Sequence, residues 1–315
     1  MSESPDDDLL PEILAEYRLH ARVWANPRVC GAWRLNTTGL HRAGFHLVVS
    51  GCCWLHLEDG HAPHALGAGD LVFLSRDSWH VLSPEIELDG DNTRLETEGD
   101  GPRTEIICGA VEFEDPAGET LLQALPHCVL IRSSEACEDV GLPLLARLMA
   151  TESQAESPGR QTVLDRLSDV LLILVLRHLM AAGDVRSGLL AGLANPQLRR
   201  ALVCIHREYL RPWQLEALAA RAGLSRSVFA RQFVEVVGDT PMNYLARWCM
   251  HQAEVMLQDR RRSVAEVAET FGYASEAAFR RAFKRTRGKG PGAVRRLPRR
   301  KPGVPPPGTD TQGRR

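Results

Sequence analysis

The 315-residue sequence has no apolar run longer than the seven residues from Val170 to Leu176, far short of the ~20 needed to span a bilayer. Its N-terminus, Met1-Ser-Glu-Ser-Pro-Asp-Asp-Asp, lacks the basic and then apolar stretches of a secretory signal. A cytoplasmic protein with no membrane partner is therefore expected. The eight cysteines (30, 52, 53, 108, 128, 137, 204, 249) include no Cys-x-x-Cys and no paired zinc-ligand spacing, so neither a disulfide scaffold nor a structural zinc site is indicated. In a reducing compartment most of them read as small buried hydrophobes. Net charge is nearly missing too, at −2, and alone would argue against a polyanionic partner. A composition of 44% hydrophobic and 25% charged residues excludes wholesale disorder, collagen and fibres.

The missing charge is a cancellation. Residues 198–315 hold 24 Lys+Arg against 10 Asp+Glu, whereas residues 1–197 hold 14 against 30. Opposite signs in the two halves predict an acidic domain and a basic one that binds a polyanion.

In the acidic half, Phe45–Val49, Cys53–Leu57 and Asp70–Leu74 are β-branched and aromatic-rich runs parted by Ser50-Gly51, Glu58-Asp59-Gly60 and Gly67-Ala-Gly69. Strands this closely spaced predict a small barrel or sandwich. Residues 85–103, rich in acids, read as a solvated loop, and Thr104–Glu114 with Cys128–Arg132 as a further strand pair. The period then becomes helical, over Val140–Ala150 and Arg160–Ala182, the latter with Leu164, Leu167, Leu171 and Leu174 at heptad spacing. From 170 to 176 that helix is apolar on nearly every face, which predicts burial on several sides, against its own barrel or in a dimer. Gly183–Ala194 reads as a small-residue linker, and the proline-rich basic tail 298–315 as disordered.

The basic half contains a repeat. Its first copy runs from Leu215 through Gly223 to Phe229 and Phe233; its second runs from Val264 through Gly272 to Phe279 and Phe283. Ala219 and Ala268 each stand four residues before the glycine, and the glycine-to-phenylalanine step is one residue longer in the second copy. This is the pattern of a helix-turn-helix: the alanine lets the helices cross closely, glycine supplies a positive φ in the turn, and phenylalanines at i and i+4 face inward. Between the copies, Thr240 and Pro241 predict the N-cap and first position of a helix over Met242–Leu257. That helix would set two reading heads on one face of DNA, about one helical turn or ~34 Å apart.

The stretch Pro196–Arg296, with Gly223-Leu-Ser-Arg, Gly238-Asp-Thr-Pro-Met-Asn-Tyr-Leu and the second-repeat run from Ala268 to Arg285, resembles the DNA-binding domain of the AraC/XylS transcriptional regulators. It departs from them at Val294, where an aromatic is usual, and in the loop Gly288-Lys-Gly-Pro. The resemblance implies base readers Ser227, Ala230 and Arg231 on the first recognition helix, with Arg226 near the backbone, and Glu276, Ala277, Arg280 and Arg281 on the second. Arginine suits guanine O6/N7, glutamate cytosine N4 and alanine a thymine methyl, while Lys284, Arg285 and Arg287 suit phosphate. Implied partners are double-stranded promoter DNA, RNA polymerase and a second copy of the chain, in a role such as activation.

Phe45–Leu57 followed by Leu66–His80 resembles the cupin sensor domain that precedes this DNA-binding domain in one AraC subgroup. The implied fold is thus α+β multidomain. A cupin-like β-barrel with flanking helices spans 8–185, a linker 186–195, an all-α double helix-turn-helix 196–297, and the disordered tail follows. Metal-dependent cupins carry His-x-His and a glutamate in the first motif; here only His46 is offered, with His80 matching the second motif. Two imidazoles are a poor metal site, so His46 and His80 are weak candidates, with His41 or a cysteine as the completing ligand, and no cofactor or enzymatic activity is expected. His56, His61 and His64, flanking a hairpin turn, are expected at the surface, and Cys52 and Cys53 on opposite strand faces. Cys30 and Cys108 each precede glycine where that subgroup also carries cysteine, and some of its members answer oxidants such as reactive chlorine, which implies a thiol switch. The signal is therefore expected to be a small molecule or an oxidant. The alternatives are a metal-dependent cupin enzyme tethered to DNA and a ligand-binding regulator without cysteine redox chemistry.

Overall fold

The structure is a computed structural model that describes residues 8–17, 19–39, 43–58, 62–88, 102–113, 121–122, 124–133, 141–259 and 261–296. The chain divides into two compact units, residues 1–199 with 235–238 and residues 200–234 with 239–315. His41, His61, most of the loop 85–103 and the tail 298–315 lie outside the described residues.

The first unit begins with α1 (Leu10–Tyr17) and continues through β1 (Leu19–Ala25), β2 (Arg28–Val29), β3 (Leu35–Asn36), β4 (Ala43–Ser50), β5 (Cys52–Leu57), β6 (His64–Gly67), β7 (Leu71–Leu74), β8 (His80–Ser83), β9 (Thr104–Phe113) and β10 (Cys128–Ile131). Among the described residues they form two antiparallel sheets, one in the order β1-β9-β4-β7-β10 with β2 on β9, the other β3-β8-β5-β6. The two late strands do not pair with each other as expected: β9 lies between β1 and β4, and β10 pairs with β7. Alternation along the strands sends Val48, Val72, Leu74, Ile106 and Cys108 of the first sheet into one core with Cys53, Leu55, Leu66 and Leu82 of the second. Phe45, Leu47, Leu71 and Phe73 are buried on the other face, which is why β4 and β7 read as nearly unbroken apolar runs.

Phe45 is paired with Gly109 across β4 and β9, and a Cβ on Gly109 would come within 2.1 Å of the Phe45 ring. The ring occupies the space that only glycine leaves.

Helices α2 (Gly141–Gln154) and α3 (Arg160–Ala182) follow. The Asp169 carboxylate accepts from the Ala21 N–H at 2.8 Å, Asp165 accepts from Val23 N–H at 3.2 Å, and the Gln161 amide donates to the Val23 carbonyl at 2.7 Å. Side chains one turn apart on α3 therefore close the edge that β1 would expose. Burial is confined to the Leu164, Ser168, Leu171, Leu172, Val175 and Leu179 side, while Val163 and Val170 are exposed and Leu167 and Leu174 intermediate. Burial on several sides, against the barrel or in a dimer, is the expectation for 170–176; within this chain Leu171, Leu172, Val175 and Leu176 are buried and Val170 is exposed. The expected linker also contains a helix, α4 (Gly188–Ala194), with Leu190, Ala191 and Leu193 buried. Its two glycines hide the helical signal.

The remaining helices are α5 (Pro196–Arg207), α6 (Leu215–Ala222), α7 (Arg226–Val237), α8 (Pro241–Gln258), α9 (Val264–Thr270), α10 (Glu276–Arg287) and α11 (Pro291–Arg296). Thr240 caps α8, its hydroxyl accepting from the Asn243 N–H, with Pro241 at the first turn. Ser263 and Glu266 form a reciprocal capping box at α9. Val294, the departure from the usual aromatic, is 4% exposed and packs with Met250, Leu257, Phe279 and Phe283. No described helix is long and apolar enough to cross a membrane.

Candidate nucleic-acid interface and barrel site

Each repeat folds as its local chemistry dictates. Gly223 ends α6 at φ 70°, its N–H bonding back to the Ala219 and Ala220 carbonyls, and Gly272 takes φ 72° in the second turn, the region glycine reaches without strain. Ala219 and Ala268 are 2% exposed, and Phe229, Phe233, Phe279 and Phe283 are fully buried. The extra residue of the second copy lies in its turn. Ser225 and Ser275 each stand four residues before the first phenylalanine and accept from the Val228 and Ala278 N–H groups, so both recognition helices keep one phase.

With the phenylalanines inward, Ser227, Arg231 and Val234 form the outward row of α7, and Ala277, Arg281 and Lys284 the equivalent row of α10. All six are exposed. Arg226, Arg280 and Arg285 are exposed as well, while Ala230 and Glu276 are half-buried at the margins. Arg226 is paired with Glu216 at 3.0 Å, and Arg280 with Glu276 at 2.5 Å. Both are solvent-exposed pairs worth little by themselves. Arg287, expected at phosphate, instead meets the buried Glu254 carboxylate at 2.5 Å, with Lys289 at 2.7 Å. Its place next to the Gly288 C-cap turns it toward α8 and away from the outward row.

In the other unit, His46 on β4 is the register partner of Cys108 on β9, and cross-strand partners point to the same face. The Cys108 sulfur is 3.2 Å from His46 Nδ1; His46 Nε2 is 2.9 Å from His80 Nε2 on the opposite sheet; His80 Nδ1 is 2.7 Å from the Ser78 carbonyl. A carbonyl only accepts, so His80 carries its proton on Nδ1 and presents a bare Nε2. His46 Nε2–H therefore donates to it, which leaves His46 Nδ1 to accept the Cys108 S–H. The Thr37 hydroxyl converges on the same His80 nitrogen at 2.7 Å. Burial, and then the neighbouring His80, hold His46 well below the usual imidazole range. Burial lowers His80 too, against the Ser78 carbonyl and Asp77, which favour its proton. Burial, reinforced by Cys53, pushes the Cys108 thiol up.

Two imidazoles make a poor metal centre, since stable sites take three or four protein ligands, and here the two rings are hydrogen-bonded to each other at 2.9 Å. Among the described residues no group of three or more His, Cys, Asp or Glu could hold an ion.

Cys30 and Cys108 are 1% and 0% exposed. They are not brought together: Cys30 follows Val29, whose register partner Thr104 stands four residues from Cys108 on β9, about 13 Å along a strand. Cys52 is exposed and Cys53 buried, on opposite faces as expected, and burial pushes Cys53 up to about 12. His56 corrects its expectation. It is buried, with Nε2 3.1 Å from both the Ser83 hydroxyl and the Glu85 carbonyl, although it stands on the face of β5 opposite the core residues Cys53 and Leu55. The link that sequence reasoning missed is Cys108 to His46, 62 residues apart, whose only signal was the shared strand parity.

A double-sheet domain joined to a repeated helix-turn-helix with arginine-bearing recognition helices defines a DNA-binding regulator. Residues 8–181 match a family model described as a cupin, and residues 218–297 one described as a helix-turn-helix domain. An AraC-like transcription regulator of Streptomyces lividans is 32% identical over 92% of this chain and 99% of its own length. The RCS-specific HTH-type transcriptional activator RclR of Escherichia coli is 27% identical over 80% of this chain and 83% of its own. A crystal structure of the DNA-binding domain of AdpA with a target DNA is 33% identical over 32% of this chain and 90% of that one, at a TM-score of 0.29. The chain belongs to the AraC family of helix-turn-helix transcriptional regulators, with an N-terminal cupin domain.

Proposed function

We propose that the protein is a cytoplasmic, non-enzymatic regulator that binds promoter DNA with both recognition helices and answers a small-molecule or oxidant signal received by its cupin domain. The observation that carries this reading is the matched pair of exposed rows on α7 and α10, each with arginine at the same helical phase. Ser227, Ala230 and Arg231 read base edges from the first head, and Glu276, Ala277, Arg280 and Arg281 from the second. Arg226, Lys284 and Arg285 take phosphate. The sensor is residues 8–185, joined through 186–195 to the reader, 196–297. A signal shifts the population of DNA-competent molecules through α2 and α3, a second copy pairs with the first on the operator, and RNA polymerase is the effector.

Operator footprinting tests the assignment. Arg231→Ala and Arg281→Ala should each lose about 1–3 kcal/mol at particular base pairs, whereas Lys284→Ala should weaken all sequences alike. Unchanged affinity and preference in both arginine variants would remove the base-reading roles.

The oxidant arm is supported by a relative named as an RCS-specific activator. Thiolate is the oxidisable form, and the closed barrel keeps Cys108 as the neutral thiol, since burial pushes the thiol up and holds its acceptor His46 low. Since the sulfur is sealed, oxidation requires local opening. Full oxidant-dependent transcription in a Cys30→Ala, Cys108→Ala protein would leave only the small-molecule arm.

A further inference from the structure

The two recognition helices differ in chemistry at one phase. In α7, Ser227, Ala230, Arg231 and Val234 stand at i, i+3, i+4 and i+7, the spacing by which a helix lying along the major groove offers side chains to successive base pairs. The equivalent residues of α10 are Ala277, Arg280, Arg281 and Lys284. The last position, one residue after the second inward phenylalanine, is thus valine in one head and lysine in the other, and the residue that follows is Glu235 against Arg285. A lysine carries its charge on a long flexible stem and reaches a flanking phosphate. Valine has neither charge nor reach, and the exposed Glu235 carboxylate beside it repels phosphate. Val234 is 43% exposed, so its methyl groups are open to whatever fills the groove. A β-branched residue also lowers helix propensity, so the stability of α7 gives no reason for valine there. What remains within reach of a short apolar side chain is the C5-methyl of thymine, the apolar group that the major groove presents.

We propose that Val234 is a specificity-determining residue, packing on the C5-methyl of a thymine at the far end of the first head's half-site. It stands ~4.5 Å along the helix from Arg231, about one base-pair step from the base that Arg231 reads. The assignment rests on α7 lying in the major groove, and it adds the identity of one base to that reading.

The test starts from duplexes selected by the full chain out of a random library. In the selected duplex each thymine is replaced in turn by uracil, which removes only the methyl group, and the first half-site is the one whose preference Arg231→Ala alters. One replacement there should weaken wild-type binding about 4-fold, the worth of one buried methyl group. Val234→Ala should bind the thymine and uracil duplexes equally. Val228→Ala, which alters the other exposed valine of α7, about 120° round the helix, should keep the difference. Alanine at an exposed helical position preserves the helix, and the uracil series on wild type needs no variant. The proposal is overturned if no replacement weakens wild-type binding, if Val234→Ala still discriminates, or if Val228→Ala loses discrimination equally. When Arg231→Ala nonetheless shifts the selected sequence, only the Val234 contact is lost and α7 keeps its reading role; when neither Arg231→Ala nor Val234→Ala alters selection, both fall.

Discussion

At single residues, what decides the barrel is how closely side chains are forced together. Gly109 is an instance, because the Phe45 ring fills the volume of its absent Cβ. Gly109→Ala should destabilise the cupin domain by about 1–3 kcal/mol through overpacking, read as a lower urea midpoint, and Phe45→Leu in the same chain should recover part of it. His46 makes a second case, with the sign set by its lowered pKa. Above about pH 6.5 both folded and unfolded histidine are neutral; below it the unfolded chain takes up the proton first, so stability falls as pH falls toward the folded-state pKa. From about pH 7.5 to about pH 5.5 the urea midpoint should drop, and His46→Gln should drop less. An equal drop in both proteins would exclude His46 as the source.

For whole elements, the lesson is which signals are local. The helix-turn-helix repeats were legible because each is defined within about twenty residues: alanine crossing, glycine turn and phenylalanine pair act on near neighbours. Leu19–Ala25 carried too weak a signal to be read as a strand, because its partner β9 lies more than eighty residues away and its free edge is closed by Asp165 and Asp169 from α3. Sequence distance also hid the approach of His46 to Cys108, 62 residues away, and to His80, 34 away, and the cover that Ser83 and Glu85 give His56. Arg287 was read as a phosphate contact because helix position alone does not show Glu254 on a neighbouring helix. That carboxylate, 7% exposed between Arg287 and Lys289, ties the end of α10 to α8. Glu254→Gln should therefore cost about 1–3 kcal/mol of stability and weaken operator affinity by loosening the second head. Chemical denaturation and gel retardation check the two effects.

On the scale of the whole molecule, charge is divided between domains, and the reading heads divide it further. The outward row of α10 ends in Lys284 and is flanked by Arg280 and Arg285, whereas that of α7 ends in Val234. Operator affinity should fall steeply with salt. Each phosphate contact removed from α10, by Lys284→Ala or Arg285→Ala, should lower the slope of log K against log salt by about 1, and Val234→Ala should leave it unchanged.

The file of donors and acceptors from Cys108 through His46 and His80 to Ser78 also gives the barrel a built-in reporter. Two imidazole protons, on His46 Nε2 and His80 Nδ1, are held in hydrogen bonds by rings only 2% and 3% exposed. Exchange with solvent water is slow for such protons, so they should give sharp low-field resonances in a proton magnetic resonance spectrum. Whatever opens the barrel, whether ligand, oxidant or acid, should make those two signals vanish before the rest of the fold responds.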